Sequence, residues 1–302
     1  MNSGTGTGKP GETALTYIPK KTSFPTWLAQ TISRKPLGAF GAALVIFVLS
    51  VALFADVLQN FDPIEPHYED RLVNSNSTYW MGTDQFGRDI FSRLLHGTRI
   101  SMLVGFSAIT IASLGGGILG IIVGYRGGVL DLAVQRIVDI LMAFPTIIMA
   151  MVVVAALGTS LSTFIFAIAL VQSPNISRIT RAVTLSIRER GYIDAARGIG
   201  VSEPRLILRH ILPNTVSPWI VMATAELGTA ILTESTLSFL GIGIQEPNAS
   251  LGTMLTGVAQ QYRYEAPWMV IWPGVAISIA VFGLNIFGDA IRDLLDPRQR
   301  GR

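Results

Sequence analysis

Long charge-free runs separated by short polar stretches set the pattern of this chain. Residues 37–55 carry no charge over nineteen positions, close to the roughly 20 that a helix needs to cross a hydrocarbon core. A polar stretch follows to about residue 100, with Pro63, Pro66 and a scatter of acids and turn formers, and reads as an exposed loop with local order. Residues 102–123 are charge-free again, and Gly115, Gly116, Gly117 and Gly120 allow a neighbouring helix to come close. The next such run, 140–177, is too long for one crossing and is divided by Gly158-Thr159-Ser160-Leu161-Ser162-Thr163. Its first half starts as early as Ile137 and contains Pro145, which removes a backbone hydrogen bond and predicts a bend. Residues 211–240 form a fifth span interrupted by Glu226 and Glu234. Residues 266–288 form a sixth, opened by Trp268 and Trp272 as interface anchors.

The pattern predicts an all-α integral membrane protein with six transmembrane helices. Its parts are a disordered cytoplasmic tail (1–24), an interfacial helix (25–36) and a first span (37–58). An extracytoplasmic loop (59–100) follows, then a five-span core (101–291) and a second cytoplasmic tail (292–302). Composition agrees: 50% of residues are hydrophobic and 14% charged, against about 25% charged in an average soluble domain. A sequence pI near 9.3 could suggest nucleic acid, but the net charge is only +3 and the arginines sit beside apolar runs, so no nucleic-acid partner is expected. Eighteen of the 23 Lys and Arg fall on the side of the termini, which places both termini in the cytoplasm. There is no cysteine, and His67, His96 and His210 show no metal-ligand spacing, so no metal is expected. The run Ser3 to Pro10 imitates a phosphate loop. It lacks the first glycine, the Ser/Thr after Lys9 and a preceding strand, so no nucleotide site is expected there.

Between the fourth and fifth spans lies a segment, 186–210, that must stand in water. Arg178, Arg181, Arg188, Arg190, Arg197, Arg205 and Arg209 all fall in or near it. It reads as two short helices. Tyr192, Ala195, Ala196 and Ile199 fall at i, i+3, i+4 and i+7, giving one face of small residues suited to close approach of a partner. Gly198 and Gly200 are expected to form the turn, and Ser202 before Glu203-Pro204 to open the second helix. Asp139, Glu226 and Glu234 are ionisable residues inside spans, which suggests a role in a pathway, a gate or a subunit interface. Arg136, one turn away, is the expected partner of Asp139. In the outer loop Asp84, Arg88, Asp89 and Arg93 are candidates for contact with a binding protein or substrate. Pairing among themselves is the alternative use of such alternating charges.

Asp194-Ala195-Ala196, then three residues, then Gly200, with Leu212-Pro213 twelve and thirteen positions on, resembles the EAA motif of the membrane subunits of bacterial ABC importers. Asp194 stands where the motif has glutamate, and His210 where it has isoleucine. The stretch from Gly82 to Arg93, Asp139 with Ala143-Phe144-Pro145, Leu237-Ser238-Phe239-Leu240-Gly241 and the closing stretch from Asn285 to Arg298 resemble the C-type permease of dipeptide and oligopeptide importers. The resemblance implies a type I importer permease fold in a bacterial plasma membrane and a cytoplasmic coupling helix made by Tyr192, Asp194, Ala195, Ala196, Gly198 and Gly200. The implied partners are a second, homologous permease subunit in a heterodimer, two ATPase subunits, an extracytoplasmic binding protein and the lipid bilayer. ATP and Mg would be held by the ATPases and no cofactor by this chain, which is expected to do no covalent chemistry. Nickel chelates and glutathione are alternative substrates within the same resemblance. An ion-coupled secondary transporter is the rival class, and would need its own midplane ion site.

Overall fold

The computed structural model describes residues 35–257 and 261–295, so the expected tail 1–24, the helix predicted for 25–36 as far as residue 34, and the end of the chain from 296 lie outside them. Contacts divide the chain at Pro36. Met1–Pro36 form one unit, described only at its last two residues, and Leu37–Arg302 form the helical body. Among the described residues the secondary structure is helical, apart from an isolated bridge between Thr83 and Asp89.

Helix α1 (Pro36–Leu53) is apolar all round and buries only Gly41, Val45, Val48 and Ala52, the form of a helix with lipid on its other sides. Gly41 lies against Ile286 and Leu44 against Gly283, so its contact is with the last helix. After the single turn α2 (Ala55–Leu58) comes the loop, containing one 3-10 turn at Tyr68–Asp70. Helix α3 (Ile90–Arg126) has 37 residues, about 55 Å at 1.5 Å per residue, and so outruns a hydrocarbon core of about 30 Å. Its first three turns were expected as loop. They are helical because Asp89 caps them, accepting from the Ser92 backbone N–H at 2.8 Å, and because Arg93 finds carboxylate partners inside the fold.

The bend expected at Pro145 is a full break. Helix α4 (Gly128–Ala143) stops at Phe144, which is extended before the proline, and α5 (Thr146–Leu157) departs at 98°. Helix α6 (Leu161–Arg188), capped by Ser160, runs eleven residues past the charge-free stretch and lies along α3. A stripe of small residues sets their distance. A Cβ on Gly116 would come within 2.5 Å of the Ser173 carbonyl oxygen, and one on Gly120 within 2.5 Å of that of Ser177. Two short helices, α7 (Gly191–Gly198) and α8 (Glu203–Leu206), lead through a π-turn at Ile207–Ile211 into α9 (Leu212–Phe239). Helix α10 (Trp268–Leu295) packs on α9, with Gly228 against Asn285 and Gly288 against Thr224.

Four helical stretches are long and apolar enough to cross a membrane: Pro36–Leu53, Ile90–Arg126, Glu203–Phe239 and Trp268–Leu295. The bent pair of α4 and α5 makes a fifth if it acts as one span. Helix α6 has the length but carries Gln172, Ser173 and Asn175 at its middle and arginines in its second half. Two of those polar groups are turned inward: Gln172 donates to Thr229 at 3.1 Å and Asn175 to Glu226, both on α9.

Candidate functional site

The segment expected to dock begins where α6 ends. Arg190 is extended, and the chain re-enters a helix at Gly191. One side chain anchors α7: Ile193 is fully buried among Ile121, Tyr125, Ile187 and Ile211, a burial worth about 1.5–3 kcal/mol. With Ile193 inward, the opposite side faces out. Tyr192 is 43% and Ile199 83% exposed, Asp194 and Ala195 are exposed, and Ala196 is half-buried at the edge. Arg197 lies over the Tyr125 ring at 5.5 Å and pairs with Asp194 at 3.2 Å, so the one carboxylate of α7 has a partner within its own helix. Tyr192 and His210 bring their rings to 6.3 Å, tying α7 to the π-turn. Of the two glycines expected at the turn, Gly200 makes it, with φ +84°, while Gly198 is the last helical residue. Ser202 precedes the second helix but makes no side-chain cap bond.

Two of the arginines before α7 pair with α4. Arg181 meets Asp131 of α4 as a fork, Nε to Oδ1 and Nη2 to Oδ2, both 2.5 Å. Arg178 donates to Asp139. Asp139 therefore takes its partner from α6 in place of Arg136, because α6 lies across α4 and presents its guanidinium groups to that face. Asp131 was not singled out in the sequence: its partner is fifty residues away, and no helical spacing points to it.

Glu226 and Glu234 are buried within the single chain and face none of its open surface. Glu226 is held by Asn175 and by Thr229, which donates at 2.8 Å. Glu234 accepts from Ser238 at 2.8 Å and lies beside Ser235. In this chain they join α9 to α6 and to its own outer end.

At the far end, Asp84, Arg88, Asp89 and Arg93 are likewise buried. Asp84 accepts from the backbone N–H groups of Phe86 and Arg88 and pairs with Arg88 Nε at 2.7 Å. Arg88 and Arg93 share Glu246, at 2.7 and 3.4 Å, and Arg93 also donates to the Pro63 carbonyl at 2.9 Å. These side chains are spent inside the chain, in place of the exposed contacts considered for them. The half-exposed member is Glu246, beside a cavity of about 160 Å³ that Thr253, Met254 and Met269 help to line. Tyr79, which donates to Asp70 at 2.8 Å in the same loop, has its hydroxyl pushed up to about 12 by burial and by that carboxylate, and so stays a donor at neutral pH.

Residues 116–301 match the family of binding-protein-dependent transport system inner membrane components, and so cover everything from the glycine stripe through the docking element to the last helix. A dipeptide transport system permease protein of Alkalihalophilus pseudofirmus is 41% identical over 269 residues, covering 89% of this chain and 88% of that protein. A probable D,D-dipeptide transport system permease protein of Escherichia coli is 37% identical over 292 residues, covering 96% and 98%. Among solved structures, a chain of the MetNI methionine ABC transporter in inward-facing conformations superposes with a TM-score of 0.55 at 21% identity. It covers 68% of this chain and 98% of that one, and shares the fold. With an all-helical body and near-full-length relatives, this chain belongs to the binding-protein-dependent transport system inner membrane component family, as a multi-pass permease of an ABC importer.

Proposed function

We propose that this chain is the C-type permease subunit of an ATP-driven importer of dipeptides or oligopeptides, that it supplies half of the translocation pathway, and that α7 docks on an ATPase subunit. The observation that carries the docking is the posture of α7. A helix anchored by one buried isoleucine, and showing a tyrosine, an alanine and an isoleucine outward, has the small-residue face that a partner groove can approach closely. The peptide substrate is supported by the relatives of Alkalihalophilus and Escherichia, both of which match nearly the whole chain.

In this reading six spans cross the membrane, α6 among them, and both termini lie in the cytoplasm, the side that the distribution of Lys and Arg favours. The chain pairs with a second, homologous permease subunit and with two ATPase subunits, and receives substrate from an extracytoplasmic binding protein. ATP and Mg bind on the ATPases. This chain does no covalent chemistry: it converts the closing of the ATPases into alternating access, which requires α7 to occupy different positions in the two states.

The structure also selects the substitution that tests docking. Gly200 has positive φ, so a side chain there brings backbone strain of its own, and Ala196 is half-buried. Ala195 is exposed and helical, so Ala195→Glu should leave folding intact, detach the ATPase subunits on purification and reduce uptake by about tenfold or more. Normal assembly and uptake in that variant would count against docking at α7.

A further inference from the structure

Helix α4 is a rigid piece between two joints. At its start Gly127 and Gly128 both take positive φ, 65° and 63°, a double left-handed step that suits glycine alone. At its end Phe144 and Pro145 turn the chain by 98° into α5. Between the joints only Asp131 and Val138 are buried, while Val129, Leu132, Ile137 and Ile140 are exposed. Besides the buried Val138, two ion pairs tie this helix to the bundle, both made with α6. Arg181, partly exposed, grips the buried Asp131 as a fork, and Arg178 holds Asp139 in a more open pair. Arg188 reaches the first joint itself, its Nη1 standing 2.8 Å from where a Cβ on Gly127 would be. These arginines occupy roughly the last three turns of α6, which runs through Glu189 and Arg190 directly into α7.

We infer that Arg181 with Asp131, supported by Arg178 with Asp139, are positioning residues for coupling, carrying a displacement of α7 and the end of α6 to α4, which swings on its two joints and moves α5. The inference rests on α7 being the docking element. A planar guanidinium held at both nitrogens fixes orientation as well as distance, so it transmits a push or a twist where a single-point contact would slip. The order of the pairs matters as well. Asp131 meets Arg181 and Asp139 meets Arg178, so the helices are joined antiparallel at two points, and α4 cannot pivot about either one alone. The two joints supply the freedom that the ion pairs direct.

The test uses the whole importer, coexpressed with its partner subunits and reconstituted in liposomes, with ATP hydrolysis and uptake of radiolabelled dialanine read on the same vesicles. Asp131→Arg and Arg181→Asp should each keep the ATPase subunits bound and hydrolysing while uptake per ATP falls about tenfold or more, and the double exchange should return it to within about threefold of the original. Retained ATPase subunits separate this result from a failure of docking, which Ala195→Glu reports by their loss. Unchanged uptake per ATP in the single variants, or a double exchange no better than either, would overturn the inference. A second readout needs neither a chosen substrate nor a reversed charge. The chain has no cysteine, so Ile140→Cys on α4 and Ile220→Cys on α9, both exposed, accept spin labels. The distance between them should change when the ATPases close on ATP, and Arg181→Gln should abolish that change; the same change with and without Arg181→Gln would overturn the inference.

Discussion

The two ends of this molecule use their charged residues in opposite ways. At the end proposed to dock, Asp194 and Arg197 lie on the surface, paired at 3.2 Å along one short helix, and the buried contact is a single isoleucine. At the other end, Asp84, Arg88, Asp89 and Arg93 lie inside, and the loop from 59 to 89 is built around them. In the sequence both look alike, polar stretches with alternating acids and arginines. The difference is in what each end must do. A surface that admits a partner keeps small apolar residues outside and needs only a foothold within. A loop of some thirty residues with one 3-10 turn has few apolar side chains to bury, and ion pairs with backbone hydrogen bonds give it a fixed form instead.

The contrast can be broken at either end. The largest expected effect is at the buried cluster. Arg93→Ala takes a counter-charge from the buried Asp84, 3.6 Å away, and the donor from the Pro63 carbonyl, and removing one partner of a buried pair costs about 3–5 kcal/mol. Denaturant unfolding of the purified subunit in detergent, followed by tryptophan fluorescence, should show that loss; a midpoint unmoved by the substitution would mean that the cluster does not hold the loop. Next is the foothold of α7. Ile193→Ala should cost about 2–4 kcal/mol locally and release α7 from the body, seen as faster amide exchange over 191–198 with little change in α9. The smallest is at the surface. Arg197→Ala removes an exposed pair and a ring contact and should change stability by less than about 1 kcal/mol. If it proved as costly as Arg93→Ala, the two ends would not differ as described.

Several elements were legible because a membrane leaves few choices. Charge-free runs of the right length gave α1, the core of α3, α9 and α10, since an apolar segment in lipid has to satisfy its own backbone and becomes a helix. A bend at Pro145 and the turn after residue 157 followed from proline and glycine chemistry, although the full break and its 98° between α4 and α5 did not, because proline disturbs a helix without saying where the chain goes next. The stretch proposed to dock was picked out by spacing; of the four residues on its expected face Tyr192, Ala195 and Ile199 are exposed and Ala196 is half-buried. That Ile193 would anchor it depended on Ile121, Tyr125, Ile187 and Ile211 arriving from three other helical stretches.

By itself, the sequence determined which segments are apolar enough to become long helices and which polar stretch carries a face of small residues, since hydropathy and helical period are properties of neighbours along the chain. Tertiary structure decided the partners of charge. Arg178 and Arg181 reach Asp139 and Asp131, Glu226 and Glu234 are enclosed by polar groups, and Arg88 and Arg93 close on Glu246, more than 150 residues away. The physical reason is range. A buried charge must find its counter-charge wherever packing brings one, and packing is set by how whole helices lie against one another, which no local pattern along the chain records.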